Sequence, residues 1–354
     1  MALYEELFDG PLDIIGDIHG EITALRYLLY NLGYDESGRH KQNRRLVFLG
    51  DIVDRGPNSP DVVEAVMSLV KSGRAQCILG NHELNILLNR PMHGNGWMVQ
   101  PNPKDAADGI KSRVADERRK PVYREFFQSL PLILENSSLR IVHACWNTHA
   151  VDAIKKFKQE SVEVLYQRFQ EKYHGIMREP EFAKALDAEQ LHYQSALRDP
   201  TQVPPLLKAT AKKEYLEQMI NPVRTLTTSS MVAAATPYFG GGKWRMAERD
   251  AWWDYYQEDK PVIIGHFWRQ FSLLNERISG VFGRDLFSDI EPHAWMGAND
   301  NVYCVDYSVG QRYLERKRSS EERFYGKLAA LRMPERQVMH DDGNVVSTYV
   351  QNPR

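Results

Sequence analysis

Three times in the first quarter of the chain an apolar run halts at a glycine followed at once by acidic, amide or imidazole side chains. The blocks are Gly16-Asp17-Ile18-His19-Gly20, Gly50-Asp51-Ile52-Val53-Asp54-Arg55-Gly56 and Gly80-Asn81-His82-Glu83. The runs before them, 12–15, 45–49 and 75–79, read as short buried strands. Between them, Leu25, Leu28, Leu29 and Leu32, and then Val62, Val63, Val66, Leu69 and Val70, recur at helical spacing. Asp61 sits in the first turn of the second helix, where an acidic side chain suits the dipole. Strands alternating with helices at this interval predict βαβ units, an α/β fold, and polar groups gathered at the carboxyl ends of the strands. Two later apolar runs end the same way, 139–143 at His143 and 262–264 at Gly265-His266.

The residue types at these strand ends define a chemistry. Asp17 and His19, two apart on an extended strand end, project to one side, so one metal can take both. Asp51 has two carboxylate oxygens and can bridge two ions. Asn81 offers an amide oxygen, and His143 and His266 offer ring nitrogens. Mixed oxygen and nitrogen donors suit manganese, iron, zinc or magnesium, with manganese favoured, rather than a thiolate site. A pair of such ions activates water against a phosphate ester. Arg55 has the fork that binds two phosphate oxygens. His82 can protonate the leaving oxygen, with Asp54 orienting its imidazole. Cys145 stands near His143, but a cysteine nucleophile needs a free base, and His143 is better used as a ligand.

The formal net charge of −2 implies no general attraction to nucleic acid or anionic membrane, so no stable nucleic-acid complex is expected. The three cysteines, Cys77, Cys145 and Cys304, form no CxxC pair, which fits a reducing compartment. The N-terminus lacks the pattern of a signal peptide and no apolar run reaches the length of a membrane span, so a cytoplasmic protein is expected. Residues 1–149 are read as the first part of a core, 150–258 as a predominantly helical insert or cap, and 259–354 as the second part of the core, with a C-terminal hairpin turning at Asp341-Asp342-Gly343. Residues 90–120, irregular and rich in Pro, Gly and charge, read as a surface excursion. Trp244, Trp252, Trp253, Tyr255, Tyr256, Phe267 and Trp268 either pack the insert on the core or stack a nucleobase. Gly240-Gly241-Gly242-Lys243 reads as a turn that could bring Lys243 near substrate phosphates.

Taken together, the three blocks resemble the signature of the calcineurin-like metallophosphoesterases, and within them the phosphoprotein-phosphatase type. That group includes serine/threonine phosphatases and bacterial diadenosine tetraphosphatases. The resemblance covers residues 11–90, 126–147 and 260–310. It implies a sandwich of two mixed β-sheets flanked by helices, here with a helical insertion. It implies two divalent metal ions, one held by Asp17, His19 and Asp51, the other by Asp51, Asn81, His143 and His266. It implies His82 as general acid supported by Asp54, with Arg55 on the phosphate. The chain departs from the pattern where His143 is followed by Ala144-Cys145-Trp146 rather than glycines, and where Tyr307-Ser308 replaces a threonine-glycine pair. The segment that builds a second phosphate arginine is not recognisable, and Arg224 is the candidate for that place. The expected activity is metal-dependent hydrolysis of a nucleotide-type or small phosphorylated substrate. The alternatives are a serine/threonine protein phosphatase and a non-catalytic binding protein on the same fold. The second alternative would call for a lost ligand, and every motif ligand is present.

Overall fold

In the computed structural model, residues 2–99, 103–107, 109, 111–271, 285–318 and 324–351 are described. Part of the family-like stretch 260–310, namely 272–284, lies outside them.

The chain opens with β1 (Tyr4–Glu6) and β2 (Leu12–Ile15). It then alternates α1 (Ile22–Leu32), β3 (Arg45–Phe48), α2 (Ser59–Lys71), β4 (Ala75–Cys77) and α3 (Asn81–Leu87). Helices α4 (Pro103–Ala107) and α5 (Lys120–Ser129) lead to β5 (Ile133–Glu135) and β6 (Arg140–Val142). Helices α6 (Thr148–Lys156), α7 (Val162–Met177), α8 (Pro180–Tyr193), α9 (Lys208–Met219) and α10 (Pro222–Thr228) follow, then the strands β7 (Met231–Gly240) and β8 (Lys243–Arg249). The chain returns through β9 (Val262–Ile264), β10 (Ala294–Trp295), β11 (Val302–Cys304) and α11 (Arg312–Arg318). It ends in β12 (Ala329–Met333), β13 (Gln337–His340), β14 (Val345–Ser347) and β15 (Tyr349–Val350).

Two mixed sheets form the sandwich. One has the order β14-β13-β12-β2-β3-β4, the other β1-β5-β6-β9-β11. In the first, β2, β3 and β4 run parallel and β12 pairs with β2 antiparallel. In the second, only the β5–β6 pair is antiparallel. Side chains alternate across each strand. Leu12, Ile14, Val47, Ile141, Ile263, Tyr303 and Leu331 fill the space between the sheets. Ile15 and Phe48 turn the other way and meet the apolar faces of α1 and α2, through Leu25, Leu28, Val62 and Val66. Asp13 interrupts this apolar pattern while fully buried. Its carboxylate is satisfied by Arg44, Arg332 and the Tyr34 hydroxyl, which makes a charge at that position tolerable.

Residues 150–258 are predominantly helical, with one addition. After α10 the chain forms a long antiparallel hairpin, β7 with β8, turning at the glycine run. Lys243, at that turn, faces Glu214 at 3.4 Å. Trp252 and Trp253 are buried, at 6% and 1% exposure. Trp253 stacks on Phe287 and meets Phe267 edge-on, while the Trp252 indole donates to the Ala144 carbonyl at 3.0 Å. Both tryptophans are therefore core, and neither ring face is open to a base. Trp244 likewise packs into the insert.

Candidate metal centre

Strands from both sheets deliver the site. The segments just after β2, β3, β4, β6 and β9 carry Asp17, Asp51, Asn81, His143 and His266. All these carboxyl ends lie at one rim of the sandwich. The loops are tied directly to one another. The N–H groups of Ile18 and His19 both donate to the Asp51 carbonyl, at 3.0 Å each, and Gly20 donates to Ile52. Glu83, the last residue of the third block, is fully buried and accepts from the N–H groups of Asp51, Ile52 and Gly80 at 2.9, 2.9 and 3.0 Å. It caps α3 and clamps the second loop to the third. Burial first, then the nearby Asp51 charge, push its carboxyl up to about 7.

Close approach explains the glycines. A Cβ on Gly50 would meet the Gly80 nitrogen at 2.4 Å, and one on Gly80 would meet the Asp51 carboxylate at 2.2 Å. The functional residues themselves carry backbone strain. His19, Asp51, Asp54, Arg55 and His266 all have positive φ, between 48° and 73°. Such conformations cost roughly 1–3 kcal/mol each and persist where the surroundings impose them.

Asp51 lies at the centre. Its Oδ2 is 3.4 Å from His143 Nε2 and 3.8 Å from His82 Nε2. Two groups of side chains converge closely enough to hold an ion: His19, Asp51 and His82, and Asp51, His143 and His266. The tautomers fit ligation. His19 Nδ1 faces the Val53 carbonyl at 3.0 Å and His143 Nδ1 the Leu49 carbonyl at 2.6 Å, so each ring donates outward and turns the Nε2 lone pair inward. His266 Nε2 is buried without a partner. The amide end of Asn81 that faces the cluster lies 2.9 Å from His266 Nδ1, 3.3 Å from Asp51 Oδ2 and 3.3 Å from the Thr227 carbonyl. As an NH2 it has two N–H bonds for these three acceptors. As an oxygen among acceptors it needs a cation between them, which is the role expected of it. These donors fit a divalent metal pair.

Asp17 accepts from the His266 N–H at 3.1 Å and lies 3.8 Å from His19 Nε2, though it falls outside both three-residue groups. Burial, then the Asp306 carboxylate, hold its carboxyl well above the usual range. For Asp51, burial raises the pKa, but the imidazoles of His143 and His82 overcome it and hold it well below. His19 is held well below the usual imidazole value by burial and then by Arg55, and His266 by burial and then by Arg249. Asp54 Oδ2 lies 2.6 Å from His82 Nδ1, the arrangement expected of a supported acid.

Of the two candidate arginines, Arg55 is at the site. Its guanidinium donates to His19 Nε2 at 2.9 Å and stacks over Trp268, 5.0 Å from the ring centre. Arg224 is not. It turns to Glu217 at 3.1 Å, because α10 presents it to α9 while the carbonyl of Thr227, one turn on, faces Asn81. Arg249, at the end of β8, is instead the arginine that acts electrostatically on His266 and Arg55. Its charge lowers the His266 pKa and is in turn disfavoured by burial and by Arg55. Among the described residues its guanidinium has no carboxylate partner. Two further residues escaped sequence reasoning. Trp97 donates to Asp54 Oδ1 at 2.6 Å. Asp306, following β11, is buried beside Asp17, with Oδ2 unpartnered. Its position at the end of an apolar run was the available signal; Arg249 and Trp97 left none.

The insert supports the site through Ala144. That residue's N–H donates to the Leu226 carbonyl at 2.9 Å, and its carbonyl accepts from Trp252. Where the pattern calls for glycine after His143, this chain uses the insert to hold the loop.

The family model for calcineurin-like phosphoesterases matches residues 10–184. The bis(5'-nucleosyl)-tetraphosphatase PrpE [asymmetrical] of Oceanobacillus iheyensis is 36% identical over 162 residues, covering 44% of this chain and 63% of that protein. The protein of the same name from a Geobacillus species is 47% identical over 140 residues, covering 38% of this chain and 56% of that one. The chain thus spans little more than half the length of the curated relatives it matches. Among solved structures, a cold-active protein-tyrosine phosphatase of a Shewanella species aligns over 97% of this chain and 81% of that one, with a TM-score of 0.46 and 14% identity.

Proposed function

We propose that the chain, which belongs to the calcineurin-like phosphoesterase family, hydrolyses phosphate esters or anhydrides of a nucleotide-type substrate. The observation that carries this reading is the convergence on Asp51 of inward-facing imidazole nitrogens and one amide end, all at a single rim of the sandwich. Asp17, His19 and Asp51 would hold one divalent cation, and Asp51, Asn81, His143 and His266 a second. When bound, the pair supplies a water acidified for attack and a positive clamp on the phosphoryl group. Manganese is the first metal to test, ahead of iron, zinc or magnesium.

The chain's own residues do the rest. Arg55 binds phosphoryl oxygens in pairs, and Arg249, without a carboxylate partner among the described residues, adds a second cation for a polyphosphate. His82 gives its Nε2 proton to the leaving oxygen while Asp54 keeps Nδ1–H in place. Trp268, half-buried under the Arg55 guanidinium, places an aromatic ring beside the phosphate-binding arginine. The names of the relatives support a dinucleoside polyphosphate as substrate, and the buried, unpaired cysteines suit a reducing cytoplasm.

The test is a metal-reconstituted panel of para-nitrophenyl phosphate, bis-para-nitrophenyl phosphate, diadenosine tetraphosphate and a phosphopeptide. Diadenosine tetraphosphate should be turned over with the highest kcat/KM. Preference for the phosphopeptide would replace this reading with a protein phosphatase. Full metal occupancy without turnover of any member would leave a binding protein.

A further inference from the structure

Residues 90–120, expected to wander over the surface, send one side chain back beneath the site. Trp97 is 1% exposed. Its indole Nε1–H donates to Asp54 Oδ1 at 2.6 Å, while Asp54 Oδ2 lies 2.6 Å from His82 Nδ1. Asp54 is fully buried, and its own N–H donates to Ser59 Oγ at 2.9 Å. A carboxylate held at one oxygen can still turn about χ2, a broad torsion. One held at both oxygens by donors from different elements cannot.

The donor is itself fixed from two directions. The Trp97 ring packs against Tyr123 on α5, whose hydroxyl donates to Glu64 on α2 at 2.8 Å. The Trp97 carbonyl accepts from Ala115, and the turn before it is held by buried Asn95, whose side chain donates to the Arg90 carbonyl at 2.8 Å. No part of the metal-ligand set requires these contacts. They make sense as a frame for the Asp54 carboxylate.

We propose that Trp97 is a positioning residue for the general acid: it locks the plane of Asp54, so that His82 keeps Nδ1–H toward Asp54 and presents Nε2 to the leaving oxygen. The proposal rests on the phosphoesterase reading. In the step concerned, water oxygen bonds to phosphorus as the bond to the leaving oxygen breaks. The Nε2 proton of His82 passes to that oxygen and the attacking water releases a proton to solvent, while neutral imidazole remains with its Nδ1 proton until solvent restores the one at Nε2.

Trp97→Phe keeps an aromatic ring and removes the donor. Replacement of Trp97 by 3-benzothienylalanine keeps the full shape, with sulfur in place of N–H, and serves if the phenylalanine variant melts early. Either should lower kcat about tenfold on an alkyl phosphate, which needs protonation, and change 2,4-dinitrophenyl phosphate by less than about twofold. Metal content should be unchanged. In a His82→Asn background the same replacement should cost nothing more. Tyr123→Phe, which removes a hydroxyl from the same support but not the indole N–H, should leave the leaving-group dependence as in the wild type.

A second readout does not need turnover. In nitrogen-15 histidine spectra, the Nδ1–H signal assigned by its loss in His82→Asn should move or broaden when the indole N–H is removed. An equal loss on alkyl and activated esters, additivity with His82→Asn, or an unmoved Nδ1–H signal would each overturn the proposal. A wild type inactive across the metal panel would instead sink the phosphoesterase reading, and the spectra alone would then decide whether Trp97 holds the Asp54–His82 pair.

Discussion

The molecule buries two clusters of histidine, and only one of them is built to hold metal. At the rim of the sandwich, His19, His82, His143 and His266 surround Asp51. At the C-terminal end of the other face, His293 and His340 meet Nε2 to Nε2 at 3.3 Å, walled by Phe271 and Tyr307. Both clusters are buried and both are rich in aromatic contact. The difference is the carboxylate. Around Asp51, ring nitrogens face a shared negative charge, and burial is offset by His–Asp attraction strongly enough to push His143 up to about 10. Around His340 burial outweighs the nearby Asp342 charge, pulling His293 down to about 4 and His340 to about 3. In the first cluster the response is split, because burial together with Arg55 and Arg249 keeps His19 and His266 well below the usual value while Asp51 raises His143. The second excludes positive charge, and its partners are a neighbouring ring and apolar walls.

The largest effect expected from breaking this contrast is at Asp51. Asp51→Asn removes the shared charge, so hydrolysis should be abolished and metal content by elemental analysis should fall for both ions together. Normal occupancy and rate would end the dinuclear account. Next is His82→Asn, which should keep its metal but slow turnover by about 10²–10⁴-fold, the usual effect of losing a general acid. The deficit should shrink on activated esters. Equal losses on all esters would remove His82 from that role.

At the edge of the metal cluster, Arg249→Ala should reduce kcat/KM on diadenosine tetraphosphate by roughly ten- to a hundredfold, the worth of about 1.5–3 kcal/mol in charged hydrogen bonds. Arg224→Ala, at a part-buried pair with Glu217, should change it little. The reverse ranking would restore Arg224 to the phosphate. Trp253→Ala tests the cover over the site: truncating a core tryptophan typically costs about 3–5 kcal/mol, so a large fall in melting temperature is expected with substrate preference unchanged.

The smallest effect belongs to the second cluster. The folded pKa values of His293 and His340 are depressed below the unfolded value near 6.5. Their contribution to stability is therefore fully present above about pH 6.5 and is lost as pH falls toward 4. Melting temperature should decline across that window, and the decline should flatten in His340→Gln. Added manganese should raise the melting temperature of wild type and His340→Gln alike, and not of Asp51→Asn.

How much of this was legible beforehand depended on how local each cause is. Strand β2, with its following glycine and Asp17-x-His19, could be read because an apolar run and a turn residue are adjacent in the chain. Glu83 stood in plain view within its block, yet its grip on the N–H groups of Asp51 and Ile52 is a contact between loops and has no sequence trace. The excursion at 90–120 runs largely over the surface, as its composition implies, and nothing along it marks Trp97 as returning to Asp54. Arg224 is suggested only by its neighbourhood in the chain, and nothing local marks Arg249. Both are arginines between the two late histidines, and only the direction of α10 and the hairpin β7–β8 separates them.

What the sequence by itself determined is the chemistry of the rim: which donors stand at strand ends, in which order, with glycines where Cβ atoms cannot fit. Those features follow from short-range sterics and from periodicities of two and 3.6 residues. Tertiary structure alone decided which distant groups face those donors. Arg249, Trp97, Asp306 and the Ala144 brace reach the site through packing of segments far apart in the chain. Electrostatic and hydrogen-bonding partners are chosen by distance in space, and that distance exists only once the two sheets and the insert have closed on one another.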